Sequence, residues 1–142
     1  PQLLQHLRDN PEALPLAIEE MLRWTCPLHY FRRTATADTQ IRGQHIREGD
    51  RVVMLYSSAN FDEEAFDDPM TFDITRDPNP HMAFGHGIHL CLGANLARLE
   101  AQVFFEEFFR HFSAIESAGE PVFIRSNSIH GYKQMPVRLT PA

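Results

Sequence analysis

Apolar residues recur at helical spacing in three segments of the chain. Short helices are predicted over residues 3–10 and 12–24, and they are separated at Asn10-Pro11 because proline interrupts a helix. A long helix is predicted from Leu92 to Phe112. Four phenylalanines between residues 104 and 109 make it apolar over more than half its circumference, which is typical of a helix inside a large fold. We therefore assign this aromatic stripe to a hydrophobic core.

The pattern changes to strands between Tyr30 and Val53, where turns are predicted at Arg42-Gly43 and Glu48-Gly49-Asp50. The strand after the second turn, residues 51–56, is apolar enough to be buried. Carboxylates are frequent between residues 57 and 80. They lack the spacing of a calcium-binding loop and therefore predict a solvated surface.

Composition limits the classes of function. The 142 residues are 43% hydrophobic, which corresponds to one globular domain or to part of a larger one. The formal net charge of −6, without a dominant basic patch, argues against a nucleic-acid partner. Apolar runs are shorter than the roughly 20 residues that a membrane-spanning helix needs. Cys26 and Cys91 form no disulfide framework, so a cytoplasmic location is expected, and the start at Pro1 instead of methionine indicates a missing upstream part.

The strongest chemical signal is the stretch 84–93, Phe-Gly-His-Gly-Ile-His-Leu-Cys-Leu-Gly. Its glycines, Gly85, Gly87 and Gly93, permit positive φ angles or a close approach of the backbone to a flat ligand. Cys91 stands at the start of the predicted long helix, whose N-terminal N–H groups stabilise an anion. The cysteine can therefore act as a thiolate nucleophile or as a metal ligand.

Other interpretations of Cys91 stay open on the residues alone. A free cysteine is most often a small buried hydrophobe. Cys91 would also serve as a zinc ligand together with His86 and His89, although the spacing matches no common zinc motif and a fourth ligand or a water is needed. Covalent attachment of a c-type haem is excluded because the sequence has no C-x-x-C-H.

The pattern F-G-x-G-x-H-x-C-x-G of residues 84–93 resembles the cysteine-ligand loop of the cytochrome P450 family, the haem-thiolate monooxygenases. The resemblance implies that Cys91 is the proximal thiolate ligand of haem b iron, with Phe84 beside the sulfur and amides of the glycine loop donating to it. It further assigns the haem propionates to three basic side chains, Arg33, His81 and His89.

A second motif lies in the helix at 12–24. Glu20 and Arg23 are three residues apart, and on their own they predict a solvated ion pair worth a few tenths of a kcal/mol. Followed by Trp24 and Pro27, they resemble the E-x-x-R motif of the same family. The resemblance implies a structural network of Glu20, Arg23 and Arg76 that fixes the scaffold behind the haem and performs no chemistry.

The resemblance implies an α+β, mainly helical fold, the C-terminal part of the cytochrome P450 fold. Its parts would be the E-x-x-R helix, a small β-sheet, an irregular meander, the Cys-ligand loop, the long Phe-rich helix and a C-terminal β-hairpin over residues 121–142. Residues 1–142 would form one haem-binding portion. Nothing in the sequence resembles the upstream half of the family's fold with its distal oxygen-activating helix.

The implied function is insertion of one oxygen atom from O2 into a C–H bond of an apolar small molecule such as a terpenoid, a sterol or a fatty chain. NAD(P)H would supply electrons indirectly, through a ferredoxin or a flavoprotein. No residue of this chain is predicted to be catalytic itself, and activity would require the missing upstream part. The alternative is a non-catalytic truncated fragment that lacks haem and self-associates.

Overall fold

The computed structural model describes residues 2–142. In this part of the chain the α-helices are α1 (Gln2–Asp9), α2 (Leu14–Thr25), α3 (Tyr56–Ala59) and α4 (Ala94–His111). Single 3₁₀ turns, Pro11–Ala13 and Gly87–His89, lie before α2 and before α4. The helices predicted at 3–10, 12–24 and 92–112 are confirmed to within two residues at each end.

Eight strands of the described residues pair as four antiparallel two-stranded sheets. The pairs are β1 (Tyr30–Thr34) with β4 (Arg51–Leu55), β2 (Thr39–Ile41) with β3 (Gln44–Ile46), β5 (Phe112–Ser117) with β8 (Val137–Pro141), and β6 (Val122–Phe123) with β7 (Tyr132–Gln134). The strands predicted between Tyr30 and Val53 are thus confirmed. The predicted burial of β4 is wrong, since Val53 and Leu55 are 49% and 55% exposed. Both side chains lie on one face of a two-stranded sheet, and no described element covers that face.

The tail forms a hairpin and one separate strand. The C-terminal hairpin predicted over residues 121–142 is confirmed only in part, because β6 pairs with β7 within residues 122–134. Its tip reaches the segment after α2, where Leu28 bridges Ile129 and the His29 N–H donates to the Ser128 carbonyl over 3.0 Å. The second apolar patch of the tail, in β8, pairs instead with β5, a strand that the sequence pattern did not predict.

The core lies where α1, α2 and the segment before the cysteine loop meet the C-terminal half of α4. Its fully enclosed members are Leu7, Ala17 and Ile74, and partly buried residues packed on them are Ala13, Met21, Phe72 and Phe109. The predicted core position of α4 is wrong for the rest of its apolar face. Leu96, Leu99, Val103 and Phe104 are 47–61% exposed, because no element of residues 2–142 packs on this side. None of the described helices is both long and apolar enough to cross a membrane.

Candidate functional site

The glycine-rich loop folds back on itself just before α4. The Cys91 N–H donates to the Phe84 carbonyl over 2.9 Å, and the Cys91 carbonyl accepts from the Ala94 N–H over 3.2 Å. Gly85 and Gly87 have φ angles of +71° and +65°, a region that residues with a Cβ rarely adopt. The glycines therefore permit the reversal that brings Cys91 to the start of α4.

Gly85 also meets a steric requirement. A Cβ at this position would lie 3.3 Å from the Tyr56 hydroxyl, whereas a Cβ at Gly87 would meet nothing within 4 Å. The close approach of Tyr56, the first residue of α3, therefore favours glycine at position 85. The remaining glycine of the motif, Gly93, is the N-cap residue of α4.

Cys91 lines a cavity of about 490 Å³, a size typical of small-molecule sites. The predicted residues that share it are Arg33, Phe84, Gly85, His89 and Cys91; the others are Leu22, Pro27, Leu28, Phe31, Tyr56 and Ala83. A neighbouring cavity of about 390 Å³ has Arg33, Tyr56 and His89 in common with it. The structure therefore brings five of the predicted cofactor-binding residues to one concave surface.

Arg33 and His89 contribute the basic groups of this surface. Arg33, in β1, donates to the neighbouring Arg32 carbonyl over 3.0 Å and lies 5.9 Å from the Phe31 ring centroid. Within residues 2–142, neither Arg33 nor His89 has a carboxylate within 4.0 Å. Two cationic or hydrogen-bonding groups thus face a mainly apolar cavity without an anionic partner from the described chain.

The residues that line the Cys91 cavity have the chemistry needed to bind a haem. Cys91 is exposed at the cavity, and no side-chain hydrogen bond from the described residues engages its sulfur. The apolar wall suits a porphyrin, the thiol suits its iron, and Arg33 and His89 suit its two carboxylates. The residues present therefore fit the group that the sequence resemblance implies.

Two alternative interpretations of Cys91 lose support. Cys91 is exposed, so it is not a small hydrophobe of the core. Across residues 2–142 no three side chains of the His, Cys, Asp and Glu types are arranged to hold a metal ion, which argues against zinc at His86, His89 and Cys91. The same observation applies to the carboxylates of residues 57–80, which line a separate cavity of about 460 Å³.

Glu20 and Arg23 form a buried pair, not a solvated one. Both side chains are 0% exposed, and Arg23 donates to the two Glu20 carboxylate oxygens over 2.7 Å each. The Arg76 Nε lies 3.4 Å from the same carboxylate. Burial would raise the pKa of Glu20, but the Arg23 hydrogen bonds, the Asp73 N–H and the two positive charges outweigh it and hold that pKa below its usual value.

Asn60 connects this buried pair to the cysteine loop. Its side-chain amide donates to the Arg23 carbonyl over 3.0 Å, and its side-chain oxygen accepts the Met82 N–H over 2.7 Å. The residue is completely buried. Asn60 was not identified as a functional residue from the sequence. Its partners Arg23 and Met82 are 37 and 22 positions away along the chain, and no local sequence pattern indicates such contacts.

His81 lies outside the cavity lining, behind Phe84. Its Nε2 is 3.0 Å from a Glu19 carboxylate oxygen, and its Nδ1 accepts the Ala83 N–H over 3.3 Å. Glu19 also accepts two hydrogen bonds from Arg98 of α4. Both ring nitrogens of His81 are therefore engaged within the described chain, and its predicted contact with a propionate stays a prediction. Glu19 and Arg98 were not identified from the sequence.

Comparison with known proteins identifies the family. The family model of cytochrome P450 matches residues 6–137. The chain is 46% identical over 142 residues to cytochrome P450-terp of a Pseudomonas species, covering 100% of this chain and 33% of that protein. It is 49% identical over 124 residues to the methyl-branched lipid omega-hydroxylase of Mycobacterium bovis, covering 87% of this chain and 29% of that protein.

A solved structure agrees with these matches. The crystal structure of the cytochrome P450 enzyme CYP109B1 from Bacillus subtilis has a TM-score of 0.92 and 46% identity, covering 97% of this chain and 38% of that one. The chain thus spans about a third of the length of the relatives it matches. The matches extend over the helices, the sheets and the cysteine loop described above. This chain belongs to the cytochrome P450 family.

Proposed function

We propose that the protein is a haem-thiolate monooxygenase and that Cys91 is the thiolate ligand of its haem b. The observation that carries the proposal is the placement of an exposed Cys91 in one cavity with Arg33 and His89, both without a carboxylate partner in residues 2–142. Haem b is the cofactor of this family, and with a thiolate ligand it supplies activation of O2 and insertion of one oxygen atom into a C–H bond.

The residues of this chain would bind, orient and shield the cofactor. Cys91 would donate its sulfur, whose position is fixed by the backbone hydrogen bond to Phe84. Arg33 and His89 would bind the two carboxylates of the haem, which need charge-assisted donors once they leave water. Leu28 and Phe31 would exclude water from the cavity. For His81 to bind a carboxylate of the haem as well, its Nε2 would have to exchange the Glu19 carboxylate for that of the haem.

The substrate class that the cavity supports best is an apolar small molecule. The lining is mostly aliphatic and aromatic, and the tip of the β6–β7 hairpin lies beside Leu28, where it would contact a bound molecule. The name of one relative, a methyl-branched lipid omega-hydroxylase, supports a fatty chain, with terpenoids and sterols as the neighbouring classes. Electrons would arrive from NAD(P)H through a ferredoxin or a flavoprotein.

The 142 residues would act as the C-terminal haem-binding portion of a longer protein. Support comes from the share of the relatives that they span, about a third, and from the exposed apolar face of α4. An upstream part would cover this face and would supply the residues that activate O2. A cytoplasmic location stays a prediction, and it rests on two cysteines that are not joined to each other.

An isotope experiment tests the oxygenase activity. Full-length protein with haem, an electron donor system and a fatty acid or a terpene would be incubated under ¹⁸O2, and the products analysed by mass spectrometry. We expect one ¹⁸O atom per product molecule, and no product from the Cys91→Ser variant. Product that contains oxygen from water, or equal turnover by Cys91→Ser, would contradict the proposal.

The second candidate function is a haem-free fragment that self-associates. The apolar face of α4, with Leu96, Leu99 and Val103 exposed, favours it, because apolar patches of this kind are rare on soluble monomers. Metal and pigment analysis separates the candidates. A coloured protein with about one iron per chain supports the oxygenase, and a colourless, iron-free protein of higher mass supports the fragment.

A further inference from the structure

The functions proposed above give no role to the ion pair of Glu19 and Arg98, which lies next to Phe84 of the cysteine cavity. Arg98 of α4 donates its Nε and one Nη to the two carboxylate oxygens of Glu19 on α2, over 2.6 and 2.7 Å. Such two-point pairing fixes the plane of the guanidinium as well as its distance. The two helices are thus held together by a contact between residues that are 79 positions apart.

This ion pair reaches the cysteine loop through one aromatic ring. The guanidinium carbon of Arg98 lies 4.7 Å from the centroid of the Phe84 ring, within the range of a cation–π contact. Phe84 lines the Cys91 cavity, and its carbonyl accepts the Cys91 N–H. Phe84 therefore contacts both the Arg98 guanidinium and the cavity that Cys91 lines. Solvent screens the guanidinium charge in part, since the Arg98 side chain is 38% exposed, but the short distance to the ring preserves part of its effect.

Glu19 compensates that charge. Burial would raise the pKa of Glu19, but the hydrogen bonds and charge of Arg98, together with the bond from His81, outweigh it and hold the pKa below its usual value. Burial lowers the pKa of His81, although Glu19 opposes this effect, and the lowered pKa favours the neutral imidazole. The net charge of this cluster of Glu19, His81 and Arg98 therefore depends on Glu19 and Arg98, whose negative and positive charges cancel.

We propose that Glu19 and Arg98 are positioning residues that hold the Phe84 ring beside Cys91 and, through the balance of their charges, set the reduction potential of the haem iron bound there. The proposal rests on the proposed function, because it requires the thiolate-bound haem. Removing Glu19 leaves an uncompensated positive charge next to the ring, which favours the reduced, less positive iron. Removing Arg98 leaves a negative charge, which disfavours it.

The test is a redox titration of the full-length protein with haem bound. Wild type, Glu19→Gln, Arg98→Gln and the double variant would be titrated spectroscopically between the ferric and ferrous forms. The solution is kept at about pH 8.5, above the ordinary imidazole range, so that His81 stays neutral. The matched control is Glu107→Gln, which removes the carboxylate of an exposed Glu–Arg pair of the same helix, also 2.6 Å apart.

The expected shifts have opposite signs. At a fixed solution potential near the wild-type midpoint, the ferrous-to-ferric ratio increases several-fold in Glu19→Gln and decreases several-fold in Arg98→Gln. The double variant returns close to wild type, and Glu107→Gln does not change the ratio. A purely structural role predicts shifts of one sign in both single variants and the largest effect in the double variant, and that result would overturn the proposal.

The carbon monoxide spectrum separates this failure from failure of the proposed function. If the reduced wild type with CO lacks the strongly red-shifted Soret band of thiolate ligation, both proposals are wrong. If the band is present and the potentials do not move in opposite directions, only the present inference is wrong. If Glu19→Gln fails to bind haem, the Arg98→Lys variant, which keeps the positive charge, is titrated instead. A reduction potential close to that of wild type supports the role of the charge. A decrease as large as in Arg98→Gln contradicts it.

Discussion

At the scale of single residues, Arg23 is, with Glu20, one of two charged residues of the described chain that are completely buried. Its five N–H groups make five hydrogen bonds, two to Glu20 and three to the carbonyls of Asn60, Pro69 and Thr71. A buried charge is tolerated only when it is paired in this way. Arg23 therefore joins α2 to two segments that precede the cysteine loop, one at Asn60 and one at Pro69 and Thr71.

We expect Arg23→Leu to lower the free energy of unfolding by about 3–5 kcal/mol, because it leaves Glu20 buried without its partner. Urea denaturation measures the change. Arg110→Leu, which breaks the exposed pair with Glu107, is the control and should cost no more than about 1 kcal/mol. Similar losses in both variants would show that burial of the Glu20–Arg23 pair has no energetic consequence.

The lowered pKa of Glu20 predicts the pH dependence of stability. A carboxyl group with a lower pKa in the folded state contributes stability above its unfolded pKa of about 4.5, and this contribution is lost as the pH falls toward the folded pKa. Denaturation of wild type and Glu20→Gln between about pH 7 and pH 3 should give free energies whose difference decreases with acid. A difference that stays constant over this range would contradict the lowered pKa.

At the scale of elements, the cysteine loop depends on glycine at position 85. Gly85→Ala combines an unfavourable positive φ with a contact at 3.3 Å from the Tyr56 hydroxyl. Gly43→Ala has a similar φ, +81°, and no neighbour within 4 Å, so it measures the backbone strain alone, about 1–2 kcal/mol. We expect the larger loss of unfolding free energy in Gly85→Ala.

Haem content separates the two glycine variants further. Gly85→Ala should also bind less haem, because Tyr56 and Gly85 both line the Cys91 cavity. Gly43→Ala should bind haem as wild type does, since Gly43 lies in the β2–β3 turn. Equal stability and equal haem content in the two variants would show that the contact between position 85 and Tyr56 affects neither folding nor haem binding.

Local patterns predicted the elements well, and contacts between distant positions poorly. Helical periodicity located α1, α2 and α4, because it depends on neighbouring residues alone. The solvent exposure of β4 could not be predicted, since an apolar strand does not show whether another layer covers it. The Glu19–Arg98 pair was missed for a related reason: its members are 79 positions apart, and each resembles an ordinary surface charge in sequence.

The motif around Cys91 was more informative than any periodicity. Glycine, histidine and cysteine at fixed spacing predicted a loop that presents a thiol, and the structure places Cys91, Phe84 and His89 on one cavity. That Arg33 belongs to the same site was predicted only from the family resemblance, not from the pattern around Arg33 itself. The role of His81 stays a prediction, since its two ring nitrogens contact Glu19 and Ala83 within the described chain.

At the scale of the whole molecule, the uncovered apolar face of α4 predicts association. A chain of residues 1–142 alone should form dimers or larger species in sedimentation velocity experiments. Leu96→Lys combined with Val103→Lys, one face of α4, should increase the monomer fraction. Glu48→Lys, an exposed polar position in the turn between β3 and β4, should leave the distribution unchanged. Monomers in all three proteins would contradict the role of this face.

The bond between Cys91 and haem iron is the central claim, and the carbon monoxide spectrum of the reduced protein tests it most directly. We predict the strongly red-shifted Soret band of thiolate ligation for the full-length wild type, and its complete loss in Cys91→Ser. The Cys26→Ser variant, which removes the buried thiol whose pKa burial raises to about 11, should keep the band. A shifted band in Cys91→Ser, or none in wild type that contains haem, would contradict the account.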